Sequence, residues 1–339
     1  MKKNKTYIIA EVAQAHDGSL GMAHSYIDSL KNTGVDALKF QMHYADYESS
    51  IHEKFRTKFS YQDKSRFDYW KRLEFTKDQW MEIKKHCDEV GLDFICSVFS
   101  EYSLKNLIEI GGKIIKVPSG ELSNHLLLER ISKTKKKIIL STGLSNNSEI
   151  QESIRIFKKY KNNISILHCT SEYPTKPQSL GLGQIKYLKN KFKVPVGLSD
   201  HSGKIYAPLM AITKGAEIIE AHVVFDKRIF GPDTNSSLTV DDFKLIAEGA
   251  RYIEKSNNNE FINKNSLSFK TKLTKKIFGK SLVINKNLQK GHLLKMEDLS
   301  SLKPEGFGLS PRYYKKILLK KLKRDMNKND FISLRDVTI

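Results

Sequence analysis

The fold is decided by residues 194–225, VPVGLSDHSGKIYAPLMAITKGAEIIEAHVVF. One apolar run ends just before His201, a helix-like segment stops at Gly215, and a second apolar run contains His222. Short apolar runs that alternate with a helix are typical of parallel strands joined by a crossover. The carboxyl ends of such strands are where α/β enzymes place their chemistry.

The same alternation extends through most of the chain. Before this unit, strands are predicted at residues 7–13, 37–42, 93–99, 113–119, 137–143 and 164–171. A last helix is predicted at residues 239–255. Eight strand–helix units are the number expected of a (β/α)8 TIM barrel. A doubly wound sheet is the alternative, but no glycine fingerprint for a dinucleotide follows the first strand.

The chain is too long for one core. Its 339 residues exceed the roughly 250–300 at which single cores stop growing. We predict a barrel domain at 1–256, a polar linker at 257–276 and a small β-rich domain at 277–339.

Residues 43–75 form a long polar and aromatic excursion after the second strand, and insertions of that length are usually functional loops or lids.

Composition narrows the class of protein. No stretch approaches the ~18–20 apolar residues of a membrane span, and the first apolar run is too short for a signal peptide. Three cysteines without paired spacing indicate reduced thiols, so we expect a cytoplasmic protein. Cys169 beside His168 is a possible nucleophile, but neighbours on a strand face opposite ways, which favours a core thiol.

The net charge is +20, and the residues after Ser256 hold 19 Lys and Arg against 7 Asp and Glu. A nucleic-acid patch is one interpretation. The lysines are scattered among Asn and Ser without a recognisable binding motif, which favours a solvated surface. We therefore expect neither a nucleic-acid nor a membrane partner.

Two histidines are predicted to meet at the carboxyl ends of the last two barrel strands. Period two along each strand directs Ser199 and His201 to one side, and likewise Glu220 and His222. Two neutral imidazoles with carboxylates and water in reach suit Mn²⁺, Zn²⁺ or Fe²⁺. The alternative is that each His is a satisfied polar residue at a strand end. A Ser-His-Asp triad is disfavoured, because Asp200 points away from its neighbours.

Polar residues lie near or just after the carboxyl end of every predicted strand. They are Glu11, Lys39, Gln41, Ser97, Lys116, Ser119, Glu121, Ser141, Ser171, Tyr173, Ser199, His201, Glu220 and His222. Two lysines and several hydroxyls resemble a cradle for phosphate and carboxylate oxygens. A metal at the histidines would polarise a carbonyl beside that cradle. The residues alone predict a metal-dependent enzyme that joins a phosphorylated acid to a carbonyl compound.

Ordered motifs along the whole chain resemble those of the sialic acid synthase family, which makes nine-carbon 2-keto sugar acids from phosphoenolpyruvate. The barrel motifs are IAEVAQAHDGS (9–19), KFQ (39–41), KVPSGE (116–121), LSTG (140–143), HCTSEYP (168–174), GLSDHSG (197–203), EAHVVF (220–225) and FGPD (230–233). The tail, GKSLVINKNLQKGHLLKMEDL (279–299) and KPEGFGLSP (303–311), resembles the antifreeze-like SAF domain, a small β-clip fold.

The resemblance implies roles for these residues. Phosphoenolpyruvate would lie over Lys39, Ser97, Lys116, Ser119, Ser141 and Ser199. A divalent metal, Mn²⁺ or Mg²⁺, would sit on His201 and His222 and bind the aldehyde oxygen of an open-chain N-acetylated hexosamine. The catalytic residues would be Glu11, Lys39, Lys116, Glu121, Tyr173, Glu220 and Asp233, and the sugar would contact Gln41, Ser171, Tyr173, Asp233 and Lys303.

The family resemblance also implies a homodimer in which the SAF domain completes the neighbouring subunit's site. Two positions depart from the family pattern. Many members have Asn at Ser171, and the SAF domain usually has an Arg-Pro-Gly turn where this chain has Lys303-Pro304-Glu305. Lysine keeps the charge and loses the planar guanidinium fork. The resemblance therefore leaves two alternatives for the sugar, N-acetylmannosamine or a 2,4-diacetamido-2,4,6-trideoxyhexose.

Two other classes of function compete with a synthase. A metal-dependent aldolase that uses free pyruvate would share the barrel, but it would release no phosphate. A non-enzymatic binding module built on the basic C-terminal domain would instead bind nucleic acid tightly and with a steep dependence on salt.

Overall fold

A computed structural model describes residues 5–57, 59–257, 264, 266 and 268–339. The chain divides into two compact units, Met1–Asn259 and Glu260–Ile339. In the described part of the chain, no helix has the length and apolar character needed to cross a bilayer.

The first unit is a closed barrel of parallel strands. Each strand pairs with the next in chain order, and β1 pairs with β8, so the predicted (β/α)8 barrel is confirmed. A short β9 pairs with the end of β8. The strands are β1 (Tyr7–Glu11), β2 (Ala37–Met42), β3 (Asp93–Val98), β4 (Ile114–Val117), β5 (Lys137–Ser141), β6 (Ile164–Cys169), β7 (Val196–Asp200), β8 (Ile218–Val224) and β9 (Leu238–Thr239).

Helices follow the barrel strands, and several of them begin at polar N-cap residues. Thr76 is the N-cap of the helix that begins at Lys77, and its side chain accepts a hydrogen bond from the backbone N–H of Gln79 at 3.2 Å. The helices of this unit are α1 (Leu20–Leu30), α2 (Ala45–Glu48), α3 (Arg66–Leu73), α4 (Lys77–Glu89), α5 (Glu101–Glu109), α6 (His125–Lys133), α7 (Asn147–Lys159), α8 (Gly183–Phe192), α9 (Tyr206–Thr213) and α10 (Val240–Asn257).

Inward-facing positions change from apolar to polar along the strands. One apolar layer fills the barrel, and it consists of Ile9, Ala37, Ile95, Ile114, Ile139, Leu167 and Ile218. Because side chains two apart share a face, the next inward residues include Lys39, Lys116 and Glu220. The apolar layer therefore forms the floor of a polar mouth at the carboxyl ends of the strands.

The second unit has its own small core. Strands β10 (Ser281–Ile284) and β11 (Leu299–Leu302) pair antiparallel. The side chain of Asp298 is buried and lies 2.7 Å from both His292 Nε2 and Lys286 Nζ. A buried carboxylate costs free energy unless it is paired, so these contacts anchor the turn before β11.

Part of the predicted linker 257–276 is helical. Helix α11 (Phe269–Phe278) occupies its later part, whereas residues 258–263, 265 and 267 lie outside the described residues. The apolar residues Phe269, Leu273 and Ile277 recur every four positions, which is helical spacing. The many intervening lysines gave this segment the polar composition of a linker.

Gly197 on β7 is required by the close approach of β7 and β8. A Cβ atom at this position would lie 2.1 Å from the carbonyl oxygen of Ile218. Real side chains do not tolerate that distance, so the strands would have to move apart. Gly183 is a matched site, because a Cβ there would meet nothing within 4 Å.

We expect Gly197→Ala to destabilise the barrel by roughly 3 kcal/mol, the upper end of the usual cost of overpacking. Gly183→Ala should leave stability unchanged or slightly raised. Urea titration of both variants, followed by tryptophan fluorescence, measures the difference. Equal midpoints for the two variants would show that β7 and β8 have room for a methyl group.

Candidate active site

A cavity of about 500 Å³ opens at the carboxyl ends of the barrel strands. Most of the predicted site residues line it, from both halves of the chain. They are Lys39, Gln41, Ser97, Lys116, Ser119, Glu121, Ser141, Ser171, Tyr173, Ser199, His201, Glu220, His222 and Asp233. Glu11 is buried and pairs with Lys39. Lys303 lies in the second unit with Nζ 4.9 Å from the Phe278 ring centroid.

Four buried charges cluster at the inner end of the cavity, and three of them, Lys39, Lys116 and Glu220, line it. Lys39 makes an ion pair with Glu11, and its Nζ is 3.6 Å from Glu220 Oε1. Lys116 Nζ lies 3.4 Å from the same oxygen. All four side chains are at most 5% exposed. The strand register explains the contacts, because Glu11 lies beside Lys39 and the barrel closes β1 against β8.

Burial and charge shift the pKa values of this cluster. Burial lowers the pKa of Lys39 to about 7, although attraction to Glu220 acts in the opposite direction. Burial alone would raise the pKa of Glu220, but Lys116 and Lys39 hold it below its ordinary value. Glu220 therefore stays ionised, and Lys39 is poised to change charge near neutral pH.

Hydroxyl groups surround the two lysines. Lys116 Nζ donates to Ser141 Oγ at 2.7 Å, and Lys39 Nζ donates to Ser97 Oγ at 3.4 Å. Ser199 Oγ donates to Glu220 Oε1 at 3.1 Å. A set of ammonium and hydroxyl donors at one place is suited to the oxygens of phosphate and carboxylate groups.

The two predicted histidines face each other. The ring centroids of His201 and His222 are 5.4 Å apart, and the ring of Tyr173 lies 4.0 Å from that of His201. His201 Nδ1 lies 3.1 Å from the carbonyl oxygen of Thr170 and is assigned as the donor, which leaves Nε2 as an acceptor. Burial lowers the pKa of both histidines, that of His201 to about 3.

Both residues predicted to bind a metal, His201 and His222, line the cavity. In the described part of the chain, no three His, Cys, Asp or Glu side chains are grouped so that they could hold one metal ion. The carboxylate of Glu220 faces Lys39 and Lys116 instead. The arrangement therefore offers two neutral imidazoles.

The excursion at residues 43–75 forms one wall of the cavity, and its individual residues were not predicted. It contains α2 and α3, and its cavity-lining residues are His43, Glu48, Glu53, Arg56, Arg66 and Trp70. The ring of His43 stacks 3.9 Å from Trp70 and 4.4 Å from Phe99. The length of the insertion was the sequence feature that indicated a functional loop here, since no motif marks the individual positions. Gln14, Phe99 and Leu144 also line the cavity without having been predicted.

Cys169 is buried, as predicted, and it also contributes to the cavity wall. Its Sγ lies 3.8 Å from His201 Nδ1. Burial raises the pKa of the thiol, so the nucleophilic thiolate is disfavoured. The structure thus favours a packing role for Cys169 over nucleophilic chemistry.

A closed barrel with a charged cavity at the carboxyl ends of its strands defines a (β/α)8-barrel enzyme. The profile of the NeuB family matches residues 26–261, and that of the SAF domain matches residues 279–338. The chain therefore belongs to the NeuB family and has a C-terminal SAF domain.

Named relatives are similar over almost the whole chain. The chain is 34% identical to the N,N'-diacetyllegionaminic acid synthase of Campylobacter jejuni, with 97% of this chain and 99% of the relative covered. It is also 34% identical to a pseudaminic acid synthase of Campylobacter jejuni, with 98% and 96% covered. A crystal structure of N-acetylneuraminic acid synthetase from Leptospira borgpetersenii, in complex with citrate, superposes with a TM-score of 0.69, at 31% identity over 80% of this chain and 90% of that chain.

We expect Glu220→Gln to lower the pKa of Lys39 below about 7, because the variant loses the attraction that raises it. A larger fraction of Lys39 is then neutral at pH 7. Nuclear magnetic resonance titration of isotope-labelled lysine side chains measures this pKa, and the loss of one signal in Lys39→Arg identifies the residue.

Glu121→Gln is the matched control, because Glu121 lines the same cavity and is not among the groups that shift Lys39. A Lys39 pKa that is the same in wild type and Glu220→Gln would contradict the charge coupling described above.

Proposed function

We propose that this protein condenses phosphoenolpyruvate with an open-chain N-acetylated hexosamine, and that the products are a nine-carbon 2-keto sugar acid and phosphate. The observation that carries the proposal is the single cavity in which a lysine–serine cluster adjoins two neutral histidines. The relatives named as legionaminic and pseudaminic acid synthases support the same reaction class.

Phosphoenolpyruvate would bind over Lys39 and Lys116. Its phosphate and carboxylate groups need several donors, which the serines at positions 97, 119, 141 and 199 provide together with the two ammonium groups. Because both lysines are buried, their interaction with an anion is screened less than on the surface. Lys39 and Lys116 would thus hold the substrate and stabilise the negative charge that develops on it.

The histidines fit a divalent metal with open coordination positions, Mn²⁺ or Mg²⁺ in our proposal. His201 is oriented by the Thr170 carbonyl so that Nε2 is free to act as a ligand, and such orientation is common for metal-binding histidines. Both imidazoles are neutral because of burial, which ligation requires. When bound, the ion would polarise the aldehyde carbonyl of the sugar.

In the proposed reaction, carbon 3 of phosphoenolpyruvate attacks the aldehyde carbon, whose oxygen becomes a hydroxyl group after protonation. Water adds to carbon 2, and phosphate leaves with cleavage of its bond to that carbon. Glu11, Glu121, Glu220 and Asp233 are the proposed carboxylates around these atoms, and burial raises the pKa of Glu121, which favours a proton-donor role. Tyr173 would orient the sugar beside His201.

The sugar would contact Gln41, Ser171, Tyr173 and Asp233 in the same cavity. Lys303 is proposed to reach the site of a neighbouring subunit in a homodimer, as the SAF domain implies. A monomer at micromolar concentration with full activity would contradict this arrangement.

Phosphate release is the decisive test of the reaction class. We expect release of inorganic phosphate when the protein is mixed with phosphoenolpyruvate, Mn²⁺ and members of a panel of N-acetylated hexosamines. With ¹⁸O in the bridging position of phosphoenolpyruvate, the label should appear in phosphate, because the carbon–oxygen bond is cleaved. Consumption of free pyruvate without phosphate release would instead identify an aldolase.

Two variants test the proposed binding sites. Lys116→Ala should raise the KM for phosphoenolpyruvate roughly 10- to 100-fold, since a hydrogen bond to a charged group contributes about 1.5–3 kcal/mol. His222→Ala should abolish turnover and the response to added metal while the protein stays folded. Steady-state kinetics and circular dichroism give both readouts.

Matched controls are Lys113→Ala and His125→Ala, because both residues are exposed and lie outside the cavity wall. We expect wild-type kinetics for both. Unchanged kinetics in Lys116→Ala or His222→Ala would remove the assigned role of that residue.

A further inference from the structure

Gln41, near the carboxyl end of β2, lies at the centre of a hydrogen-bonded group in the cavity wall. Its amide nitrogen Nε2 is 3.1 Å from Glu11 Oε1. Its carbonyl oxygen Oε1 is 2.6 Å from Gln14 Nε2 and 3.0 Å from His43 Nε2. An amide has hydrogen-bond donors at one end and an acceptor at the other. The orientation of this amide therefore decides what a ligand meets at this part of the wall.

The carboxylate of Glu11 determines how the Gln41 amide is oriented. Glu11 forms an ion pair with Lys39, and an ionised carboxylate can only accept hydrogen bonds. The end of the Gln41 amide that faces Glu11 is therefore the NH2 group. The carbonyl oxygen then faces Gln14 and His43, so both of these side chains donate to it. The 3.4 Å contact between Gln14 Nε2 and His43 Nε2 joins two donors that share this acceptor.

The imidazole ring of His43 is held in one orientation by three contacts. It stacks between the rings of Trp70 and Phe99, and each of these planes is inclined by 19° to it. Its other nitrogen, Nδ1, lies 2.5 Å from Glu48 Oε1, and the side chains of His43 and Glu48 are at most 7% exposed. Turning the ring over would replace both nitrogens by carbon atoms and lose both hydrogen bonds. Nε2 is thus fixed against Gln41.

The contact between His43 and Glu48 requires a shared proton. Without one, Nδ1 and Oε1 would be two acceptors 2.5 Å apart in a buried place. Because Nε2 already carries the proton that it donates to Gln41, the two side chains hold one proton at Nε2 and one between Nδ1 and Oε1. The elements of the excursion supply this support, since Glu48 ends α2 and Trp70 belongs to α3.

We propose that His43 is a positioning residue of the active site and that it acts through Gln41. The N–H donors of His43 and Gln14 occupy both lone pairs of the Gln41 carbonyl oxygen, so this amide has no acceptor left for a ligand. One amide N–H is taken by Glu11, and the other is available to an acceptor oxygen of the sugar. The inference rests on the proposed function, in which Gln41 contacts the sugar.

The protonation of His43 is measured in the full-length protein without any substrate. We expect long-range ¹H–¹⁵N spectra of histidine-labelled protein to show a proton on His43 Nε2. The signal that is missing in His43→Gln identifies the residue. A His43 Nε2 without a proton would overturn the inference, because that nitrogen could not donate to Gln41.

Substitutions at position 43 separate the hydrogen bond from the packing of the ring. His43→Phe keeps a ring between Trp70 and Phe99 and removes the N–H donor, so the Gln41 amide is free to turn. We expect the KM for the sugar to rise about tenfold, the usual effect of losing one hydrogen bond, with an unchanged KM for phosphoenolpyruvate. His43→Gln places an amide N–H near the former Nε2 and should recover most of the loss.

A double-mutant cycle shows whether His43 acts through Gln41. In a Gln41→Ala background, His43→Phe should not raise the KM for the sugar any further, because the group that it positions is already absent. Tyr44→Phe is the matched control, since Tyr44 is the next residue in the chain, is buried and lies outside the cavity wall. It should keep wild-type kinetics. Effects of His43→Phe and Gln41→Ala that simply add would overturn the inference and leave His43 a packing residue.

Failure of this inference can be told apart from failure of the proposed function. If no sugar releases phosphate, the proposed function fails, and the side-chain amide signals of Gln41 still report on the contact. We expect these signals to shift in His43→Phe and to return towards their wild-type positions in His43→Gln. Unchanged Gln41 amide signals in His43→Phe would contradict the contact. Should His43→Phe not fold, the protonation of Nε2 in the wild type decides the matter alone.

Discussion

The arrangement of the cavity depends on four buried charges inside the barrel, which pair with one another. A single buried ion costs several kcal/mol in an apolar interior unless a partner and hydrogen bonds compensate it. Lys39 and Lys116 satisfy that requirement through Glu11 and Glu220, which stand on the two strands that close the barrel. The strand pairing that closes the barrel therefore also fixes the positions of the two lysines.

The apolar floor beneath these charges explains why they face a cavity. Isoleucine-rich positions fill the lower interior, so the polar residues two positions later can extend only towards the carboxyl-terminal mouth. The glycine on β7 serves the same geometry, because it lets that strand approach β8 and brings Ser199 next to Glu220. The hydroxyls and ammonium groups are consequently fixed by strands, and strands position side chains more rigidly than loops do.

The excursion after β2, residues 43–75, adds arginine and tryptophan side chains to the cavity wall. Strand ends present charges and hydroxyls in a repeated arrangement, whereas the excursion contributes aromatic rings and guanidinium groups on one wall. Its contact with the loop after β8, through Arg56 and Asp233, connects it to the histidine side of the cavity.

The sequence by itself determined the barrel, its strand order and most of the inner cavity, because period two and parallel pairing place alternate residues at one rim. It also indicated the SAF domain through its motifs. The helix at Phe269–Phe278 was missed because lysines between its apolar residues resemble a linker, although the spacing was helical. Only the tertiary structure decided which residues of the 43–75 segment line the cavity, since that depends on contacts between segments far apart in the chain. The same reason applies to Arg56 and Asp233, which are 177 positions apart and have no shared periodicity that could have paired them.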